Sequence, residues 1–389
     1  MSWGERIVLR KDDIHFIKDT IVPHSAPLLS LYADVNPANP DNAGRAWLVR
    51  VKNTLRSLSL PPDLPEKVIE ALEFERPEAH TCALFAGKDL LRMYTLRVDL
   101  PVVDLAHGRV DARWGEPYVF PLVYMIDEYE RYGVVFVDRE RWRFYDVFLG
   151  DIDERADAFL ELHSDQSRKL EKRPAVRLVQ GAVLRGGAEG DRFERHVEAL
   201  AHRFYKRAAH LLEKLVDTAH TDWLILMGPD EDTHYFEQCL PRALRTRTAG
   251  LVPPPSNPQA SAGEILKKVL PFITDNRQAR ELALLQELRE KGMWGLSGSL
   301  QALQMGRFHL LVAPWSLGVK VLRCAGGLVV QDRSAAEAFC PGQSVQEVAL
   351  SDVLPDLAAA HGARLELVQG QAEDRLIREF DRLAGLPRW

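Results

Sequence analysis

The chain has 389 residues, 46% of them apolar and 27% charged, which is enough apolar material for real cores and shows no signature of disorder. Its N-terminus lacks the long apolar run of a signal peptide, and no stretch approaches the roughly 18 consecutive apolar residues of a membrane span. The formal net charge of −6 argues against nucleic acid on its face, so the placement of charge matters more than the total.

In chain order, three blocks are expected, bounded at 1–128, 129–252 and 261–389. The first is a mixed α/β domain. It opens with a helix-like stretch at 12–20 and a strand at 28–33. A turn-rich segment, Asn36-Pro37-Ala38-Asn39-Pro40-Asp41-Asn42, follows. Apolar positions Trp47, Leu48, Val51, Leu55 and Leu58 then carry helical spacing over 46–58, and strands are predicted at 81–86 and 90–98. The second block starts with a strand pair, 132–138 and 142–148. Much later come a buried-looking strand at 223–228 and a helix near 235–244. This alternation predicts an α/β layer arrangement.

The strongest helix of the chain lies between those strand groups. Phe193, Val197, Leu200, Phe204, Ala208, Leu211 and Leu215 recur at steps of four and three and make one apolar stripe. Between Arg168 and Arg207 eleven basic residues face five acidic ones, a local positive segment in an acidic chain. Arg192, Arg195, Arg203, Lys206 and Arg207 fall off the stripe and are expected to face outward. His196 and His202 are read as surface residues of the same helix. The run Val252-Pro253-Pro254-Pro255-Ser256-Asn257-Pro258 marks the clearest linker, because proline lacks the amide N–H that regular structure needs. The third block is predicted as helices at 262–270, 276–290 and 296–304, strands at 309–313 and 319–324, a helix at 354–361, a strand at 364–367 and a closing helix.

Arg185-Gly186-Gly187-Ala188-Glu189-Gly190-Asp191-Arg192-Phe193, ahead of a basic amphipathic helix, resembles the release loop of the archaeal/eukaryotic class-I release factor and Pelota family. That loop reads R-G-G-Q-S-A-x-R-F, and Gly186, Gly187, Arg192 and Phe193 fall in register with it. Three further matches occur in order. Tyr132-Gly133-Val134-Val135-Phe136-Val137-Asp138 with the following strand is similar to the pair that opens the family's central domain. The segment from Gly295 to Val312 resembles the family's G-x-x-x-x-L-x-A-L-x-x-G pattern, and Leu383-Ala384-Gly385-Leu386-Pro387 resembles its Gly-rich tail. The resemblance covers roughly 130–389 well and the first block only by domain order. It is nearest to a bacterial branch with degenerate loops that includes ribosome-hibernation factors.

The resemblance implies an α/β (α+β) multidomain protein with a ribonuclease-H-like central domain and a C-terminal domain like the kink-turn-binding ribosomal proteins. It also implies a tRNA-mimicking factor for the ribosome, meeting ribosomal RNA at the A site and the peptidyl-transferase centre. A translational GTPase is an expected delivery partner. The protein is expected to be cytoplasmic, free of membranes and monomeric off the ribosome. Phosphate contacts would come from Arg185, Arg192, Arg195, His196, Arg203, Lys206 and Arg207.

Release chemistry in this family depends on the loop Gln. Ala188 stands in its place and has no polar group to orient water, so the loop of Gly186, Gly187, Ala188 and Glu189 is expected to be degenerate, with no catalytic residue. Two alternatives stay open. One is an active peptidyl-tRNA hydrolase with a substitute residue, for which Glu189 is the candidate. The other is an interaction module that has left the ribosome. A nuclease reading would need Asp138, Asp146 and Asp151 to converge on a metal. The four cysteines, Cys82, Cys239, Cys324 and Cys340, are too scattered for a disulfide scaffold and fit a reducing compartment. Cys324 and Cys340 look like half of a zinc ribbon. Two ligands of four predict a metal-free remnant, and no cofactor is expected.

Overall fold

The computed structural model describes residues 7–8, 13–24, 26–74, 79–103, 105, 109–138, 141–155, 187–257 and 260–388. The chain divides into two units, one of residues 129–274 and one of 1–128 together with 275–389.

In the N-terminal part of the second of these, Ile7–Val8 (β1), Leu28–Asp34 (β2), Thr81–Ala86 (β3), Leu91–Leu96 (β4) and Val110–Gly115 (β5) form one sheet. Its order is β1-β4-β3-β2-β5. Six of the seven residues of β2 and every residue of β3 are buried, which is why both strands read as continuous rather than alternating apolar runs. A short helix, Asp13–Phe16 (α1), passes into a π-helical turn. Helices Ala46–Ser57 (α2) and Leu64–Phe74 (α3) cover one face, placing Trp47, Val51, Leu55, Val68 and Leu72 against Leu29, Leu31 and Leu84. Phe120–Glu128 (α4) closes this part. The structure adds α3, α4 and β5 to the elements expected here. In β5 every residue is only partly buried, so no periodic pattern marks it.

The central unit holds Tyr132–Val137 (β6), Trp142–Phe148 (β7), Asp151–Glu154 (β8), Trp223–Met227 (β9) and Thr248–Val252 (β10), in the order β10-β9-β6-β7-β8. Strands β6, β7 and β8 form an antiparallel meander, while β9 and β10 run parallel to β6. In chain order this is 3-2-1-4-5 with only the second strand reversed, the ribonuclease-H-like arrangement. Gly133 lies where a Cβ would come within 2.7 Å of the Phe144 ring, so that glycine of the opening strand admits the aromatic residue of β7. Along β7, Trp142 and Phe144 face the long helix Gly187–Ala219 (α5), and Tyr145 and Val147 face the opposite core.

Asp230–Cys239 (α6) and Arg242–Arg247 (α7) replace the single helix expected near 235–244. Pro241 forces the break, since the residue before a proline is driven out of the helical region and Leu240 sits at φ −70°, ψ 140°. Helix Ala262–Lys291 (α8) runs continuously where two helices are expected. Pro271 lies inside it and costs one backbone hydrogen bond, but apolar residues on both sides of the proline are packed. Ile265, Leu266, Val269 and Ile273 pack on Val134, Tyr145 and Ile225, so the unit boundary falls at 274/275 rather than at residue 261.

In the C-terminal part, Met293–Trp294 (β11), Phe308–Pro314 (β12), Arg364–Val368 (β16) and Ala384–Pro387 (β17) form a sheet in the order β11-β17-β12-β16. Between β12 and β16 in the chain lie Lys320–Cys324 (β13), Val329–Val330 (β14) and Val345–Ala349 (β15), which form a second, three-stranded sheet. Leu285 and Leu288 of α8 and Leu376 of Gln371–Glu379 (α12) cover one face of the larger sheet. Leu296–Gln304 (α9) and Leu350–Ala360 (α11) pack on its strands as well. The tail glycine Gly385 leaves room for Phe308, whose ring would lie 2.5 Å from a Cβ there.

The cysteines of the C-terminal part differ from the expectation. Cys324, at the end of β13, and Cys340, which caps Arg333–Phe339 (α10), are joined by a disulfide. The strand, the turn after it and α10 fold the chain back so that the two buried sulfurs meet, a closure that spacing along the sequence cannot reveal.

Candidate nucleic-acid interface

Helix α5 exists because its apolar residues recur at helical spacing and bury against β6, β7 and β9. Phe204, Tyr205, Ala208, Ala209, Leu212, Leu215, Val216 and Ala219 lie in that core. The buried face is wider than the expected stripe, because Tyr205, Ala209, Leu212 and Val216 join it and Leu211 is only partly buried. The opposite face carries Arg203, Lys206 and Arg207, all exposed. These three positions fall on successive turns, so their charges share one side of the helix.

The other predicted residues divide by position. Arg185 and Gly186 lie outside the described residues. Gly187, Ala188 and Glu189 are expected in a loop, but the helix begins at Gly187 and takes them into its first turn. Alanine is the best helix former, and a carboxylate is favoured near a helix N-terminus, so nothing local stops the helix there. Arg192, Arg195 and His196 lie within α5, and their side chains are outside the described set.

At the other end of α5, Arg131 fastens the helix to the sheet. Its guanidinium donates to the Ala219 carbonyl at 3.1 Å and to Asp146 at 3.4 Å, and it stacks on Phe148 at 4.3 Å. Burial pushes the Asp146 carboxyl above its ordinary value, against the pull of Arg131. The carboxylates that a nuclease would need do not assemble. Asp146 pairs in register with Gly133 at the start of β6, whereas Asp138 follows the far end of that strand, about 16 Å away at the strand rise. Asp138 accepts the Arg141 amide at 2.5 Å. Among the described residues no three His, Cys, Asp or Glu side chains group as metal ligands.

A feature that sequence reasoning missed lies along the seam of α5 and α6. Tyr205 donates to Asp232 at 3.1 Å in the interior. His202, expected as a plain surface residue, is half-buried there, with Nδ1 3.0 Å from the Tyr235 hydroxyl and 3.8 Å from the Cys239 sulfur. Burial raises the Cys239 thiol, opposed by the charge of Lys206. The acidic start of α6, Asp230-Glu231-Asp232, was the available signal for a helix N-terminus facing a tyrosine.

Residues 117–272, which include the whole sheet and all of α5, match the family described as bacterial archaeo-eukaryotic release factor family 10. Over those residues the chain is similar to the archaeo-eukaryotic release factors. It is 23% identical over 297 residues to peptide chain release factor subunit 1 of Archaeoglobus fulgidus, covering 70% of this chain and 69% of that protein. To the same subunit of Methanopyrus kandleri it is 25% identical over 233 residues, which is 57% of this chain and 52% of that protein. Among solved structures it aligns with Saccharomyces cerevisiae Dom34, a translation termination-like factor, at 9% identity and a TM-score of 0.39. That alignment covers 97% of this chain and 93% of the other. Among the described residues no helix is long and apolar enough to cross a membrane.

Proposed function

We propose that this release-factor-like protein enters the ribosomal A site as a tRNA-shaped ligand and serves rescue of stalled ribosomes or protection of idle ones. The observation that carries the reading is the cationic face of α5. Arg203, Lys206 and Arg207 are exposed opposite a buried apolar face, on the helix that begins at Gly187. In this reading Arg185, Arg192, Arg195 and His196 add further phosphate contacts at the peptidyl-transferase centre, and phosphates of ribosomal RNA are the ligands. The position of the family's loop Gln is Ala188, so the protein binds without releasing peptide. Delivery by a translational GTPase, action in the cytoplasm, and a monomeric state off the ribosome belong to the same proposal.

Co-sedimentation with ribosomes across a salt series tests it. Association should weaken steeply as salt rises, because phosphate neutralisation releases counterions. A protein that stays at the top of the gradient at low salt, with vacant and with stalled ribosomes alike, sinks the reading. The kinship with peptide chain release factors favours a second reading, peptidyl-tRNA hydrolysis with Glu189 as the substitute group. Peptide release by the wild type that disappears in Glu189→Gln would promote it.

A further inference from the structure

The three-stranded sheet of β13, β14 and β15, with α10, has a much smaller core than the four-stranded sheet of the C-terminal part. Its buried members are Cys324, Val330, Ala336 and Cys340, with Leu322, Leu328 and Ala335 partly buried against them. Half of those buried residues are one cystine. The four-stranded sheet is covered by a separate cluster of nine buried residues, and neither cysteine belongs to it. Small cores of this kind lean on covalent staples, and large ones do not.

Helix α10 has little else to hold it. It is seven residues long, well below the length at which a helix persists unaided in water, and Ala336 is its one buried residue. Asp332 caps its start by accepting the Ala335 amide at 2.9 Å, and its end at Cys340 is tied across to Cys324. The neighbouring strands are anchored by other means. β13 and β15 pair over five residues. The two residues of β14 are pinned by Gln304 of α9, which donates to the Val329 carbonyl and accepts the Val329 amide, each at 2.8 Å. Losing the sulfur bond would therefore release the helix and leave the strands in place.

The two sulfurs are buried, so a reductant meets them only through local opening. Residues 337–339 before Cys340 and 341–344 after it are all exposed. The turns that carry the cysteines are laced by two further hydrogen bonds, from the Ala325 amide to the Ser344 carbonyl and from the Gly326 amide to the Gln343 side chain, both at 3.0 Å. Ala325, Gly326, Gln343 and Ser344 are themselves exposed, where water competes for such bonds. Helix α10 also walls a surface pocket of about 150 Å³, which Ala335 and Phe339 line together with Leu300, Gln304 and Met305.

We propose that Cys324 and Cys340 form a reversible redox switch. With the bond closed, α10 is ordered and the pocket exists; with the bond open, α10 is released while the four-stranded sheet keeps its fold. The reductant is a dithiol. One of its thiolates attacks the Cys340 sulfur, the Cys324–Cys340 bond breaks, and Cys324 leaves as a thiolate that takes up a proton. The second thiol attacks the mixed disulfide, frees Cys340 as a thiol and closes the reductant's own disulfide. Two electrons and two protons reach the protein, and an oxidised dithiol reverses each step. The switch does not depend on the reading of α5, which lies in the other unit.

The test equilibrates the full chain with oxidised or reduced dithiothreitol, follows amide hydrogen exchange by mass spectrometry and counts free thiols after denaturation. The oxidised protein should show two free thiols, Cys82 and Cys239, and the reduced protein should show Cys324 and Cys340 as well. On reduction, exchange across 331–344 should accelerate about a hundred-fold, the equilibrium equivalent of the entropy of closing a loop of this size. β12 and β16 should stay protected over the labelling times in which 331–344 exchanges. Returning the protein to oxidised dithiothreitol should restore the protection. C324S/C340S should show the released pattern in both buffers, and the wild-type comparison decides the question alone if that variant fails to fold. Equal exchange of 331–344 in the two states overturns the proposal, as do Cys324 and Cys340 remaining free thiols in oxidised dithiothreitol. Loss of protection in β12 and β16 at the same rate as in 331–344 makes the cystine a staple of the whole C-terminal part and equally overturns the switch.

Discussion

Two kinds of basic residue meet on α5, and they are used in opposite ways. Arg131 is tied down, bonded to a helix-end carbonyl and a half-buried carboxylate and stacked on a ring. Arg203 and Lys206 stand in solvent on the opposite face of the helix from its core. A cation fixed by several partners is part of the fold and has little left to offer a ligand. An exposed cation contributes little to stability, typically about 0–1 kcal/mol even when paired at the surface. What separates the two is the company they keep, which a count of arginines along a sequence does not contain.

The comparison breaks first at Arg131. Arg131→Gln should destabilise the central unit by about 3 kcal/mol, because half-buried Asp146, beside Asp153, keeps only Arg155 as a counter-charge and the Ala219 carbonyl loses its donor. Adding Asp146→Asn should recover a substantial part of that loss. The pH dependence has a definite sign. A carboxyl whose folded pKa is raised favours the folded state fully below its unfolded pKa, and that contribution is lost as pH rises. The deficit of the single variant should therefore shrink on acidification. Urea unfolding of the two variants checks this, and a double variant no more stable than R131Q would remove Asp146 from the explanation.

The disulfide is a tied-down group of another sort. Cys324 and Cys340 are 16 residues apart, and a closed loop of that size is worth about 3 kcal/mol in the chain-entropy account. Reduction, or Cys324→Ser with Cys340→Ser, should lower the stability of the C-terminal part by about that amount. Denaturant midpoints with and without reductant measure it, and coincident curves would mean that the pair is not bonded in solution.

A smaller effect is expected at Glu281, a buried charge with weaker support. Burial raises its pKa from an ordinary 4.5 to about 7, against the Gln369 amide at 3.2 Å and the nearby Arg277 and Arg280, with Glu366 adding to the rise. The stability it contributes is complete below pH 4.5 and is lost as pH rises through about 7. Glu281→Gln should flatten that slope and be the more stable protein at pH 8 by about 2 kcal/mol. Parallel stability–pH curves for the two proteins would contradict the assignment.

These sites differ in how far the sequence could reveal them. The strand pair β6–β7, the long helix and the end of the chain are legible because hydrophobic periodicity and short glycine-bearing motifs are local signals. Gly133 and Gly385 sit where an aromatic ring of a neighbouring strand leaves no room for a Cβ, so their motifs have a physical cause. The outward position of Arg203, Lys206 and Arg207 follows from the same periodicity. Strand β10 is not anticipated from the sequence, because a short Thr-Ala-Gly-Leu-Val run next to prolines carries no alternation. The helix through Pro271 reads as two because propensity breaks it at the proline, whereas packing on either side holds it together. The cysteine bond and the partners of His202 are long-range side-chain arrangements, and no pattern in sequence encodes them.

The smallest expected effect on stability is the most informative about function. Arg203→Gln with Lys206→Gln removes two exposed charges and touches no residue of the core. Unfolding free energy should therefore change by less than about 0.5 kcal/mol. If those side chains meet phosphate, the same pair should weaken ribosome co-sedimentation at every salt concentration. It should also flatten the slope of log affinity against log salt by about one to two units, close to one for each phosphate no longer neutralised. Arg131→Gln, measured where it remains folded, should leave that slope alone. A double variant that binds ribosomes with the wild-type affinity and slope would make the exposed face of α5 ordinary solvated surface. A variant that loses stability as well would mean that these two side chains belong with Arg131 among the residues that hold the fold.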